Sequence, residues 1–217
     1  MNKYRIQYTQ GDSVKFISHL DFLRTINRGF MRAKAPVKFS NGFNPHLVMT
    51  IGLPLSVGTT SVCDVLDVEL TQQVDTKLFM EQLNATCPTG IRITAVKPAD
   101  GLKPLFNIDS AIYQAKFDTD KPIDIQKYID EPSVMIEKKS KRGMNLVNIK
   151  DFIRSMETVC ANDCSYCINM HINAGNFSNL KPELVLSSMC SYFGCTTTNI
   201  DIERRNIFFD DGTPVFC

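Results

Sequence analysis

No run of about 18 uninterrupted apolar residues occurs in the chain, so no segment reads as a membrane-spanning helix. The opening residues, MNKYRIQYTQGDSV, lack the apolar block of an export signal. Without that signal, the eight cysteines are expected as free thiols of a reducing cytoplasm rather than as disulfides. Acidic residues are scarce at the start. Residues 1–60 hold only Asp12 and Asp21 against Lys3, Arg5, Lys15, Arg24, Arg28, Arg32, Lys34 and Lys38, a balance of +6. The remainder, with 16 bases and 21 acids, carries −5. This asymmetry points the N-terminal part, and not the rest, at a polyanion.

What is present suffices for folding. A chain of 217 residues with 43% hydrophobic content can build one or two cored domains. KYRIQYT alternates and predicts a strand with Tyr4, Ile6 and Tyr8 on one face. SHLDFLRTINRGFMRAK predicts a helix capped by Ser18 with Asp21 as its box partner and ending before Pro36. Leu20, Leu23, Ile26 and Phe30 recur at helical spacing as its core side. VKF reads as a short strand, SNGFNPH as a loop, and LVMTIGLPLSVGTTS as a strand followed by a glycine-containing loop. CDVLDVEL is a strand, DTKLFMEQLNAT a helix with Asp75 at its N-cap, and GIRITAVKP a strand.

That order predicts an α+β fold of two ferredoxin-like (split βαβ) units in tandem, the second degenerate. The expected boundaries are a basic N-terminal domain over 1–98, a Pro/Gly linker over 99–109 and a C-terminal α+β domain over 110–217. In the second half, SAIYQAKFD, CINMHINA and NIDIERRNIFF read as strands, and DIQKYI and PELVLSSMCSYF as helices, the latter with Pro182 near N1. VMIEKK and MNLVNI form a hairpin turning at SKRG, and IKDFIRSMETV reads as a helix.

CANDCSYC places Cys160, Cys164 and Cys167 at C-x3-C-x2-C, the spacing with which radical S-adenosylmethionine (radical SAM) enzymes hold an iron–sulfur cluster. Only 50 residues follow, too few for the barrel such chemistry needs. Asn162-Asp163 reads instead as a turn between a helix end and the strand CINMHINA. A zinc site would need a fourth ligand from His171, Cys190 or Cys195, and no paired C-x2-C motif supports one. Buried structural thiols are therefore the expectation, with no cofactor.

Arg24, Arg28 and Arg32 fall at i, i+4 and i+8, one guanidinium stripe with about 6 Å between neighbours. Phosphates along a nucleic-acid strand repeat at about the same interval. Lys38, and Phe43, Asn44 and His46 of GFNPH, extend the expected nucleic-acid surface, with Phe43 either a base-stacking residue or a loop plug for the core. His19 and His46 would supply an acid–base pair for RNA cleavage if the fold brought them together.

FISHLDFLR, the arginine helix, FSNGFNPH and GLPLSVG give residues 3–61 the look of the radical SAM-linked protein family, and EKKSKRG and AGNFSNLKPELVL continue the resemblance. That family is bacterial, has no assigned reaction, and occurs beside or fused to a radical SAM protein. The resemblance implies a radical SAM protein as partner. A fold-level likeness to the repeat-RNA endonucleases of CRISPR systems accompanies it. With the Arg24/Arg28/Arg32 face and the GFNPH loop as the binding surface, the expectation is a cytoplasmic accessory protein that binds RNA such as tRNA or rRNA and presents it to that partner for modification. Two other readings stay open: a metal-independent ribonuclease using His19 and His46, and an interaction module that docks on the radical SAM enzyme.

Overall fold

The computed structural model describes residues 2–140 and 143–216. Helices are interspersed among strands along the chain, which divides into two compact units. The first runs to Ile108 and takes back the chain from Ile207; the second is Asp109–Asn206. No helix among the described residues is long and apolar enough to cross a membrane.

The first unit contains β1 (Lys3–Gln10), α1 (His19–Arg32), β2 (Met49–Ile51), β3 (Thr59–Glu69), α2 (Thr76–Asn84) and β4 (Ile91–Pro98). Within it the strands lie in the order β4-β1-β3-β2, each neighbouring pair antiparallel. Alternation along β1 sends Tyr4, Ile6 and Tyr8 into a core with Leu66 and Val68 of β3. Phe22, Ile26 and Phe30 of α1 and Phe79 and Leu83 of α2 close it. Tyr8 stacks on Phe22 at 5.3 Å between ring centroids.

The helix faces the core with a different stripe from the one expected. Phe22, Ile26, Gly29 and Phe30 are buried, Leu23 is half-buried, and Leu20 is 63% exposed. At 100° per residue, Leu20 lies about 200° from Phe22, so both cannot face one sheet. The bulkier aromatic takes the place against Tyr8. VKF forms no full strand: Val37 and Phe39 make isolated bridges to Leu70 and Leu47.

The other face of this sheet carries a second core of Cys63, Val65, Leu105, Ile108, Ile207, Phe209 and Val215. Residues 99–109 thus include Leu105, only 3% exposed, in a short 3-10 turn. Arg5 and Asp67 are buried beside it, at 1% and 2% exposure. Arg5 Nε donates to Asp67 Oδ1 at 2.8 Å and Nη2 to Oδ2 at 3.1 Å. Nη2 also donates to the Lys103 carbonyl at 2.8 Å, and Nη1 to that of Val215 at 3.4 Å. Lys3 approaches the same carboxylate at 3.1 Å. Lys103 in turn pairs with Asp210 and Asp211, and its hydrogen bond, with those of Thr213, holds the Asp211 carboxyl well below the usual carboxylate range.

The second unit contains β5 (Ile108–Thr119), α3 (Ile125–Asp130), the hairpin β6 (Met135–Ser140) and β7 (Gly143–Asn148), β8 (Ile153–Asn162), β9 (Ser165–Asn173), α4 (Pro182–Phe193) and β10 (Thr197–Phe209). Its strands lie in the order β10-β5-β9-β8. Lys141 and Arg142 of the expected SKRG turn lie outside the described residues. Tyr113, Phe117, Ile168, Met170, Val185 and Met189 are among its buried residues. Pro182 starts α4, and Gly194, at φ 59, ends it in the left-handed conformation.

The helix expected over IKDFIRSMETV is absent. A 3-10 turn spans Ile149–Phe152, and β8 begins at Ile153. Antiparallel pairing with β9 captures this segment, whose Ile153, Thr158 and Val159 suit a strand. The turn at Asp163 therefore joins two strands rather than a helix and a strand.

Three variants probe this frame. Asp67→Asn leaves a buried guanidinium without its counter-charge and is expected to cost about 3–5 kcal/mol, read as a lower urea midpoint. The double variant Arg5→Met/Asp67→Leu should recover much of that loss; if it loses as much as the single variant, the charge mismatch is not the cause. Ser18→Ala should cost about 1 kcal/mol in the same assay, because the N-terminus of α1 loses its side-chain acceptor.

Candidate functional site

Helix α1 presents the arginine stripe outward because its opposite side is pinned. Ser18 caps it: its hydroxyl accepts from the Asp21 N–H at 3.2 Å and donates to Asp21 Oδ2 at 2.8 Å. Asp21 Oδ1 pairs with Arg24 Nη1 at 3.0 Å. The hydrogen bonds from Ser18 and then Arg24 lower the Asp21 carboxyl pKa from its ordinary value. At the far end, Arg32 Nη2 donates to the Thr86 carbonyl at 2.6 Å, and the Thr86 hydroxyl donates to the Gly29 carbonyl at 3.0 Å. Arg24, Arg28 and Arg32 are all exposed. Arg28, between them, has no hydrogen-bond or ion-pair partner among the described residues.

The excess charge of residues 1–60 is partly spent inside the unit. Arg5 and Lys3 meet Asp67, and Lys38 pairs with Glu69 at 2.7 Å. Both acids come from β3, beyond residue 60, so the local +6 of the sequence overstates the charge at the surface. Composition counts charges along the chain, whereas pairing acts across strands.

The GFNPH segment forms the tip of a tied loop. The Ser40 N–H donates to the His46 carbonyl at 2.8 Å, and the His46 N–H to the Ser40 hydroxyl at 3.0 Å. The same hydroxyl lies 2.8 Å from His46 Nδ1. Gly42, at φ 125, turns the chain through a conformation closed to other residues. Phe43 is fully exposed, with Asn44 and His46 also exposed, so Phe43 does not plug the core.

His19 and His46 are not brought together. His19 borders a small recess with Tyr8, Gln10, Phe22 and Pro54, at the Gln10 end of β1. The segment leading to His46 lies at the other end, where the Lys38 N–H donates to Glu69, the residue opposite Lys3. The strand between them spans on the order of 20 Å. What the fold does join is FISHLD with GLPLSVG. The Gly58 N–H donates to the Lys15 carbonyl at 2.7 Å, and Pro54 and Leu55 border the recess at His19. A Cβ at Gly52 would stand 2.7 Å from Val65 Cγ2, so only glycine lets this loop lie against β3. Nothing in either motif alone signals this meeting.

The three cysteines are dispersed in environment. Cys160 is exposed on β8, Cys164 half-buried in the turn, and Cys167 buried on β9. No group of three or more His, Cys, Asp or Glu among the described residues is arranged to hold a metal. His171 lies four residues along β9 from Cys167, its Nε2 2.9 Å from the Ser110 hydroxyl. Burial, and then Arg154, lower its pKa below the ordinary histidine value.

Comparison with known proteins adds a family. No curated protein matches the chain. Among solved structures, one of an unknown protein from Galdieria sulphuraria aligns over 94% of this chain and 98% of its own, at 12% identity and a TM-score of 0.27, too low to bear on the fold. The profile of the family described as an uncharacterized protein conserved in bacteria (DUF2344) matches residues 3–182. That span takes in β1, the arginine helix, the GFNPH loop and the cysteine hairpin, and the chain belongs to this family.

Proposed function

We propose that this chain is an accessory RNA-binding protein of the cytoplasm that presents a structured RNA, such as tRNA or rRNA, to a radical SAM enzyme for modification. The carrying observation is the outward row of Arg24, Arg28 and Arg32 on a helix fixed at both ends. Guanidinium groups so spaced suit successive phosphates. The tied loop adds an exposed aromatic, Phe43, of the kind on which an unpaired base stacks. The radical SAM partner rests on the family resemblance of FISHLDFLR and FSNGFNPH.

In each unit a helix follows the first and the third of four sheet strands, and the strand orders β4-β1-β3-β2 and β10-β5-β9-β8 correspond position by position. This supports two ferredoxin-like units in tandem, the second made degenerate by the inserted hairpin β6-β7. The distance between His19 and His46 weighs against the ribonuclease reading. Phe16 and Leu20, exposed at the N-terminal end of α1, favour a second reading in which this face docks on the enzyme itself.

Fluorescence anisotropy with total tRNA separates the readings. The wild type is expected to bind at about 50 mM salt and weaken steeply as salt rises. Arg28→Ala should lower the salt slope by about 1, and Arg28→Glu should cut affinity at least about tenfold. No RNA affinity at low salt, together with co-purification of a radical SAM protein from nuclease-treated lysate, would instead establish the docking module.

A further inference from the structure

The cysteine hairpin has a property that its metal-like spacing conceals. Cys160 of β8 stands directly opposite Cys167 of β9 in the antiparallel register. A bulge places it there. The ladder pairs Thr158 with Ile168 and next Cys160 with Cys167, so Val159 is an extra residue. In an unbroken register Val159 would face Cys167, and Cys160 would fall opposite the buried Tyr166, on the core side. The bulge instead brings the two thiols to one face.

Residues opposed across antiparallel strands have Cα atoms about 4.5–5.5 Å apart, within the roughly 4.4–6.8 Å that disulfides span. Cys160 is open to solvent, while Cys167 is only 5% exposed. Lys116, directly opposite Cys167 on β5, and Arg205 of β10 supply positive charge beside the pair.

We propose that Cys160 and Cys167 are a thiol–disulfide exchange site, forming a reversible cross-strand disulfide with an anionic low-molecular-weight disulfide, of the oxidised glutathione type, as oxidant. The Cys160 thiol gives up its proton, and its thiolate attacks one sulfur of the oxidant. The oxidant's S–S bond breaks, and the first small thiol leaves with the electron pair and takes up a proton. Cys167, deprotonated in turn, attacks the Cys160 sulfur of the mixed disulfide and expels the second small thiol. Two protein thiols are oxidised and one disulfide is reduced to two thiols. The order follows from access. Burial, and then the adjoining Cys160, push the Cys167 thiol up, with Lys116 and Arg205 acting against them, so Cys167 is the resolving thiol.

Reduced protein incubated with oxidised glutathione, then quenched and mapped by peptide mass spectrometry, tests this. The wild type should lose two hydrogens in a bond joining Cys160 to Cys167, restored by dithiothreitol. Cys164→Ser should behave as wild type. Cys167→Ser should retain one glutathione on Cys160, and Cys160→Ser should lose at least about tenfold in the rate of modification in this hairpin. The proposal is overturned if no bond forms in the hairpin, if it joins Cys164 to either neighbour, or if glutathione oxidises only Cys190 and Cys195.

Discussion

A guanidinium and a carboxylate buried in one sheet set the terms for the first unit. Arg5 on β1 and Asp67 on β3 sit opposite one another in the register and out of water, so neither can stand without the other. The remaining guanidinium hydrogens must also find acceptors, and two backbone carbonyls, of Lys103 and Val215, supply them. Those carbonyls belong to stretches far apart in sequence. The pair therefore requires that the segment after β4 and the returning C-terminal stretch both lie over this face, where Leu105, Phe209 and Val215 complete its apolar cover. Charge satisfaction and hydrophobic burial fix the same chain path.

On the opposite side of this sheet, α1 is held by Phe22, Ile26 and Phe30, by the Ser18 cap and by Arg32 reaching the end of α2. A helix fixed along one side and at both ends has little freedom to roll. Its outer row of charge keeps a constant orientation, so a ligand meeting Arg24, Arg28 and Arg32 would not have to order the helix first. Arg32 is both part of that row and part of the clamp, which makes Arg28 the cleaner reporter of surface binding.

Features set by neighbours in sequence were legible. The alternation of β1, the caps at Ser18 and Asp75, and the proline that starts α4 depend on a few adjacent residues, and each forms as its local chemistry directs. Features set by distant partners were not. SMETV reads as helix until β9 offers it a strand to pair with. Leu20 fits the helical period as well as Phe22 does, and only the presence of Tyr8 decides between them. The candidate residues divide in the same way. The arginine row follows from helix period, and turn chemistry marks GFNPH as a loop but leaves open whether Phe43 turns outward or inward. The separation of the two histidines and the joining of Cys160 with Cys167 follow from strand order and a single inserted residue.

That inserted residue also bears on how these molecules behave in a crowd. Strand β8 lies at the end of the order β10-β5-β9-β8, and a flat terminal strand offers its free backbone groups to any other chain in extended form. Two register shifts, one between Ile153 and Ser155 and one between Thr158 and Cys160, break the regular spacing of those groups. A strand arriving from another molecule would find no straight run on which to zip up. The irregularity that pairs two thiols within one chain thus discourages the same edge from seeding sheet growth between chains during synthesis, when such edges are most exposed.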